Sequence, residues 1–299
     1  MYNPDNIGTI KVVDASEESE NKEIVVATGL TTDVEAKIPE GAKKAGRYDV
    51  AVVIGNSKYQ YVPDVDFAKN DARTVKRYLI KTFGFREGNI IYVEDATLSK
   101  FNQIFGVGDG SKSQLRNYVK PGVSNVFIYY VGHGAPDLNT NEAYFVPVDA
   151  DPQYLSVTGY KLQKFYDNLK RLNAKKLTIV LDACFSGNSA KGMLFKNVSP
   201  GLLKVKSEYK KPAQAVLLAS SLYNQVSTWY PEKGHSMFTY WFLKGIQGEA
   251  DKNRDKKITV LELKNYLSEN VSYEARKLHG VEQTPLIERK PSDVLVVLK

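Results

Sequence analysis

Two side chains of this sequence could together carry out nucleophilic catalysis. Cys184 is the only cysteine among the 299 residues, and it follows the apolar run 177–181 and the pair Asp182-Ala183. His133, one of three histidines, lies 51 residues earlier, after the apolar run 126–131, with a glycine on each side. A thiol becomes a strong nucleophile when a neighbouring imidazole takes its proton. The two residues therefore predict a cysteine nucleophile with a histidine as its base.

The two apolar runs are typical of buried strands, and each ends where its candidate residue follows. In a parallel sheet, residues just beyond the carboxyl ends of neighbouring strands share one crevice, so the thiol and the imidazole could meet there. Taken alone, Cys184 is also compatible with a small buried apolar residue. Backbone amides of Gly134 and Cys184 are candidate donors to an oxyanion, since glycine lets the backbone approach a substrate closely.

The motifs Tyr-Tyr-Val-Gly-His-Gly and Asp-Ala-Cys-Phe-Ser-Gly resemble those of the caspase-like cysteine peptidases. In that family the histidine is known to lie about 50 residues before the cysteine. An aspartate two residues before the nucleophile, here Asp182, is similar to the metacaspase and bacterial orthocaspase branch. The resemblance implies that Asp182 helps to bind a substrate arginine or lysine. That branch usually has serine where this chain has Val131, so a hydroxyl of the branch's pocket is missing here.

The sequence Asn70-Asp71-Ala72 is similar to a motif at the start of the family's first helix, and this implies that Asp71 is a second acid of the specificity pocket. Asp71 could instead be an aspartate that the dipole of a helix N-terminus favours. Asp182 could be a structural carboxylate that backbone donors satisfy. Trp229 lies where the family places residues of the neighbouring subsite, and its alternative is a core tryptophan beside Trp241.

Apolar β-runs alternate with helical patterns from residue 47 onward, which predicts an α/β fold with a largely parallel sheet. The resemblance implies a caspase-like three-layer sandwich, with six strands in one sheet and helices on both faces. We expect residues 1–46 to be a polar arm or linker and residues 47–299 to be the peptidase domain. The predicted strands are 49–54, 89–93, 124–131, 175–182, 214–219 and 293–298, and the predicted helices are 66–81, 97–105, 160–172, 235–247 and 259–277.

Composition narrows the class of partner. The formal charge is +7, but 41 basic and 34 acidic residues are mixed along the chain, so we expect solvated charge and no nucleic-acid partner. No apolar run approaches the ~18 residues of a membrane span, and no secretory pattern begins the sequence, so we expect no membrane partner. A single cysteine excludes an intramolecular disulfide, and a nucleophile that must stay reduced favours a cytoplasmic location.

The segment 188–212 is rich in Gly, Ser, Lys and Pro, and in caspase-like enzymes the matching region is a loop that is often cleaved. An enzyme that prefers basic residues could cut itself here. The candidate positions are Lys191, Lys196, Lys204, Lys206, Lys210 and Lys211.

The segment 251–262 partly matches a calcium-binding EF-hand loop. Its oxygen-bearing side chains include Asp251, Asn253, Asp255 and Glu262, but Lys256 stands where the motif needs glycine. We favour a polar turn between two helices over a weak calcium site. The chemistry requires no cofactor, and a calcium ion in this loop would stabilise the helix pair.

The sequence thus predicts a cysteine endopeptidase that uses a Cys184–His133 dyad and an acyl-enzyme to cut peptides or proteins after arginine or lysine. Two alternatives stay open. One is a non-catalytic caspase-fold domain that binds peptides or serves as a scaffold. The other is a peptidase of the same clan with different specificity, similar to legumain or clostripain.

Overall fold

The apolar runs of the sequence form buried strands in the computed structural model, which describes residues 9–10, 24–25, 32–186, 188–189, 192–194, 208–222, 224–289 and 292–299. The strands are Thr9–Ile10 (β1), Ile24–Val25 (β2), Val50–Gly55 (β3), Ile90–Glu94 (β4), Asn125–Val131 (β5), Gly134–Pro136 (β6), Ala143–Phe145 (β7), Tyr160–Lys161 (β8), Lys176–Asp182 (β9), Asn188–Ser189 (β10), Gly192–Met193 (β11), Ala215–Ala219 (β12), Trp229–Tyr230 (β13), His235–Ser236 (β14), Lys257–Thr259 (β15), Leu286–Glu288 (β16) and Val294–Val297 (β17).

The α-helices of the described residues are Asp33–Ala36 (α1), Ala68–Lys81 (α2), Leu98–Phe105 (α3), Gln114–Tyr118 (α4), Leu155–Thr158 (α5), Leu162–Arg171 (α6), Met237–Lys244 (α7) and Val260–His279 (α8). A π-helical turn, Gly245–Glu249, continues α7, and short 3-10 helices lie at Glu87–Asn89, Pro152–Tyr154 and Pro231–Lys233. Among the helices of the described segments, none is long and apolar enough to cross a membrane.

The central sheet has six strands in the order β16-β12-β9-β5-β3-β4. Neighbours from β12 to β4 are parallel, and β16 is antiparallel at the edge. Successive residues of a strand point to opposite faces, so an entirely apolar strand can be covered on both. Ala51 and Val53 pack in the layer that contains α2, α7 and α8, whereas Val50 and Val52 pack in the layer of α3 and α6. The predicted α/β sandwich, mostly parallel with helices on both faces, is confirmed.

One predicted strand lies in a different sheet. We expected 293–298 to complete the six-stranded sheet, but Val294–Val297 pairs with Lys257–Thr259 in a separate two-stranded sheet. The sixth strand of the main sheet is Leu286–Glu288, where Leu218 pairs with Ile287. The sequence pattern did not reveal it, because three residues after a proline are too few to establish an alternation.

Residues 32–46, part of the expected arm or linker, contact the remainder of the domain. Val34 is fully buried, and its carbonyl accepts a 2.8 Å hydrogen bond from the Tyr78 hydroxyl. The Lys299 amide donates to the Glu40 carbonyl at 3.0 Å. Farther toward the N-terminus, β1 and β2 pair with each other.

Candidate active site

The carboxyl ends of β5 and β9 lie side by side. Val131 pairs with Asp182 in the parallel register, and the Gly132 amide donates to the Asp182 carbonyl at 3.2 Å. His133 and Cys184 follow these two strand ends directly, and both line the same cleft. The cleft has a volume of about 30 Å³, and its walls include Asp182, Ser227, Trp229 and Ser236. A space of this size holds one or two water molecules, so the cleft is narrow.

His133 is buried, and the carbonyl oxygen of Pro63 orients its ring. The Nε2 atom lies 2.7 Å from that oxygen. A carbonyl can only accept, so Nε2 must carry the proton, and in the neutral ring Nδ1 keeps the lone pair. The Tyr59 ring packs 4.6 Å from the imidazole, and its hydroxyl accepts the His133 amide at 2.8 Å. The Pro63 carbonyl and Tyr59 therefore fix the ring so that Nδ1 is the nitrogen that can accept a proton.

The glycines beside His133 allow close approach of other groups. Gly132 has φ of 155°, and a Cβ there would lie 2.6 Å from the Tyr59 hydroxyl. A Cβ at Gly134 would lie 2.6 Å from the Phe185 ring and 3.0 Å from the Cys184 carbonyl oxygen. These three separations are shorter than ordinary nonbonded contacts, so any larger residue at either position would displace the segments that carry His133 and Cys184.

Cys184 is buried, with 8% of the residue exposed. Its sulfur accepts a short hydrogen bond from the Ser227 amide. Burial raises the pKa of the thiol to about 12; the Ser227 amide opposes this shift, and the negative charge of Asp182 adds to it. In this narrow cleft the thiol is therefore protonated at neutral pH.

Asp182 points into a group of hydroxyls. Thr239 and Ser227 donate to its carboxylate at 2.7 and 3.0 Å, and the Ser236 hydroxyl makes a third, shorter bond. Ser236 also caps the N-terminus of α7, since its hydroxyl oxygen accepts the Thr239 amide. Burial raises the pKa of Asp182, and the hydroxyls oppose that shift. The charged form of Asp182 is therefore costly in this buried position.

Asp71 is fully buried, and Ser236 links it to Asp182 because the Ser236 amide donates to Asp71 and the Ser236 hydroxyl donates to Asp182. The Asp71 Oδ1 is 2.6 Å from the His235 Nδ1, and its Oδ2 accepts the Ser236 amide at 3.1 Å. Burial raises the pKa of Asp71 to about 6; the hydrogen bond and charge of His235 oppose the shift, and the negative charge of Asp182 adds to it. The structure therefore brings both predicted acids together, although Asp182 lines the cleft and Asp71 already binds two donors of the chain.

A peptidase family model described as the caspase domain matches residues 49–296. The chain belongs to the caspase family. The paracaspase of Dictyostelium discoideum is 25% identical over 230 residues, which are 77% of this chain and 52% of that protein. The chain thus spans about half the length of this curated relative.

A solved caspase structure has the same fold. The crystal structure of caspase-1 from Spodoptera frugiperda matches with a TM-score of 0.52 and 13% sequence identity, covering 86% of this chain and 92% of that one. At this level of identity the likeness concerns the fold. Assignment to the metacaspase or orthocaspase branch stays a prediction.

Trp229 lies on the wall of the cleft of this caspase-family domain. Its side chain is partly buried, and its carbonyl accepts a 2.7 Å hydrogen bond from the His279 ring. Trp241, the other tryptophan, packs against the core and contacts Tyr240 and Tyr266. The two tryptophans therefore occupy different environments.

The segment 251–262 forms a turn that its own carboxylates organise. Asp251 accepts the amides of Asp255 and Lys256 at 3.1 and 2.8 Å, and Glu262 accepts the Thr259 amide at 3.0 Å. Lys256 has φ of 63°, the left-handed conformation that glycine adopts most easily. Within the described ranges, no group of three or more His, Cys, Asp or Glu side chains could hold a metal ion.

The predicted self-cleavage segment is described only in part. Lys191, Lys196, Lys204 and Lys206 lie outside the described residues. The backbone of Lys210 exchanges two hydrogen bonds with the Gln163 side chain, at 3.0 and 3.3 Å. The Lys211 ammonium contacts both oxygens of Glu288, at 2.7 and 2.6 Å.

Several residues around the cleft were not predicted from the sequence. Pro63 acts through its carbonyl, which any residue could supply, so no side-chain signal marks it. His235 was detectable only as a histidine next to Ser236. Ser227 lies near Trp229, which we had predicted to be a subsite residue. No pattern in the sequence marked Gln283.

Proposed function

We propose that this chain is a cysteine endopeptidase that cuts peptides after arginine or lysine, with Cys184 as nucleophile and His133 as acid and base. One observation carries the proposal. The thiol and the imidazole line one cleft together with a buried carboxylate, Asp182. Membership of the caspase family supports the reaction class.

The chemistry follows from the two side chains. His133 Nδ1 takes the thiol proton, and the thiolate attacks the carbonyl carbon of the substrate peptide bond. The resulting imidazolium returns its proton to the leaving amine as the carbon–nitrogen bond breaks, which leaves a thioester on Cys184. A water molecule that loses a proton to His133 then attacks the thioester, and the thiol is regenerated.

The tetrahedral intermediates carry an oxyanion that needs donors. We assign this role to the backbone amides of Gly134 and Cys184, which lie where the two strand ends meet. Loss of one oxyanion donor costs about 3 to 4 kcal/mol in a comparable case where the donor is a side chain. The close packing of Gly134 against Phe185 supports a rigid arrangement of these amides.

Specificity for a basic residue follows from the energetics of Asp182. A buried carboxylate with a raised pKa gains most from a cation, because the ion pair offsets its loss of hydration. The charge of Asp71 adds to the negative potential at Asp182, and the hydrogen bond of Asp71 with the His235 imidazole reduces this contribution. The side chain of an arginine or lysine is larger than the present cleft, so substrate binding must widen it. Entry of water and substrate also reduces the burial that keeps the thiol protonated.

We also propose self-processing in the segment 188–212. The backbone and side-chain bonds at Lys210 and Lys211 disfavour these two positions as cut sites. Lys191, Lys196, Lys204 and Lys206 are the remaining candidates. Because the nucleophile must stay reduced, the proposal includes a reducing compartment such as the cytoplasm.

The direct test is turnover of fluorogenic peptides that end in Arg, Lys, Asp or Asn, with and without calcium. We expect cleavage after Arg and Lys only, and none by Cys184→Ala. Intact mass after long incubation of both proteins tests self-processing, which only the wild type should show.

Three outcomes would contradict the proposal. Preference for Asp would contradict the role of Asp182, and preference for Asn would indicate legumain-like specificity. Failure to cut any of the peptides would favour a non-catalytic scaffold.

A further inference from the structure

Gln283 is a fully buried amide that makes hydrogen bonds with every polar atom of its side chain. Its Oε1 accepts the Thr228 amide and the Thr228 hydroxyl, both at 2.8 Å. Its Nε2 donates to the Ser220 carbonyl at 3.0 Å and to the Ser227 hydroxyl at 3.2 Å. A glutamine side chain has two donor hydrogens and two acceptor lone pairs, so all of its capacity is used.

Ser227, one of the residues that Gln283 holds, contacts both the nucleophile and the pocket acid. Its amide donates to the Cys184 sulfur, and its hydroxyl donates to Asp182 at 3.0 Å. The hydroxyl has a single hydrogen, which it gives to Asp182, so it must receive the Gln283 amide as an acceptor. Gln283, Ser227 and Asp182 therefore form one directed chain of hydrogen bonds.

We propose that Gln283 is a positioning residue that holds Ser227 and Thr228 so that the Ser227 amide points at the thiol. An N–H that donates to sulfur stabilises the thiolate over the thiol, because bonds to a charged acceptor are the stronger ones. Packing alone does not require an amide at this position, because an apolar side chain of the same size would fill the space. It would, however, leave the Thr228 amide and the Ser220 carbonyl without the bonds that Gln283 supplies.

The consequence for catalysis rests on the proposed peptidase function, but the effect on the thiol does not. If Gln283 fixes the Ser227 amide, its loss raises the thiol pKa and slows attack, which lowers kcat. Its bond to the hydroxyl that orients Asp182 adds a smaller effect on KM for basic substrates. A residue that only stabilises the fold would change neither the thiol pKa nor the ratio of these constants.

The experiment uses the single cysteine as its own reporter. We would measure the rate of iodoacetamide alkylation of the full chain against pH for the wild type and for Gln283→Met, which keeps the size and removes all four bonds. The matched control is Gln225→Met. The Gln225 side chain accepts the Thr284 amide at 2.7 Å and donates to the Thr284 hydroxyl at 3.3 Å, and neither hydrogen bond involves Ser227 or Thr228.

We expect the alkylation profile of Gln283→Met to shift by about one unit toward higher pH, so that the thiolate fraction and the alkylation rate are about tenfold lower at a given pH. Gln225→Met should keep the wild-type profile. With an Arg peptide, kcat should fall about tenfold in Gln283→Met, and KM should change less. If Gln283→Met does not fold, Gln283→Leu replaces it. That variant is also neutral and lacks all four bonds, and its profile should shift in the same direction.

An unchanged profile in the Gln283 variants, or an equal shift in Gln225→Met, would overturn the positioning role. The two proposals fail in different ways. A shifted profile in a protein that cuts no peptide would retain the positioning role and refute the peptidase. Normal turnover by Gln283→Met would refute the positioning role and retain the peptidase function.

Discussion

Replacement of Asp182 by asparagine separates what this residue does for substrate binding from what it does for stability. Asparagine keeps the size and one acceptor oxygen and removes the charge. If Asp182 forms a buried ion pair with the substrate, its loss should cost about 3 to 5 kcal/mol of binding. At 1.4 kcal/mol per tenfold, kcat/KM for an Arg peptide should fall between about a hundredfold and a few thousandfold.

Stability should change in the opposite direction. Burial raises the pKa of Asp182 above its unfolded value, so between the two pKa values the folded chain binds more protons than the unfolded one. The free energy of unfolding therefore falls as pH rises through that window, and this fall persists at pH 7. Asp182→Asn removes this loss of free energy of unfolding, because asparagine does not titrate. The variant should gain free energy of unfolding relative to the wild type at pH 7, and gain less at pH 4.

The assay compares peptides that end in arginine and in citrulline, which has a similar shape without the charge. Asp182→Asn should lose activity on the arginine peptide and keep its activity on the citrulline peptide. Asp137→Asn is the matched control. Asp137 is also buried, and its carboxylate accepts the Thr140 amide and hydroxyl, both at 2.9 Å. If Asp182→Asn still prefers arginine over citrulline, the electrostatic account of specificity is wrong.

Three further predictions concern the thiol, the contact between Asp71 and His235, and the 251–262 turn. Alkylation of wild-type Cys184 without substrate should rise steeply above pH 8, because burial raises the pKa of the thiol to about 12; a plateau below pH 7 would contradict this. His235→Ala should lower the free energy of unfolding by about 3 kcal/mol at pH 7.5 and by less at pH 5, where Asp71 is protonated; denaturant titrations at both pH values measure the difference, and an equal loss would refute it. Lys256→Gly should stabilise the chain by about 1 kcal/mol, since the residue is left-handed; a lower melting temperature would count against that reason.

Local patterns were sufficient to predict the parallel strands and the points where they end. The apolar runs before His133 and Cys184 form neighbouring parallel strands, which is the arrangement that lets the two residues share one crevice. They were predictable because an entirely apolar run must be covered on both faces, and parallel sheets provide such cover. The edge strand was not predictable in the same way. Leu286–Glu288 is short, and its place beside β12 depends on contacts such as that of Gln283 with the Ser220 carbonyl.

The sequence by itself determined the reactive groups and the layered sheet that could present them, because residue type sets chemistry and periodicity sets burial. Only the tertiary structure decided that Asp71 binds His235, that Ser227 touches the thiol and that Gln283 holds Ser227. These partners lie far apart along the chain, Asp71 and His235 by 164 residues. A hydrogen bond at such a separation depends on how whole elements pack, and it leaves no period in the sequence from which it could be inferred.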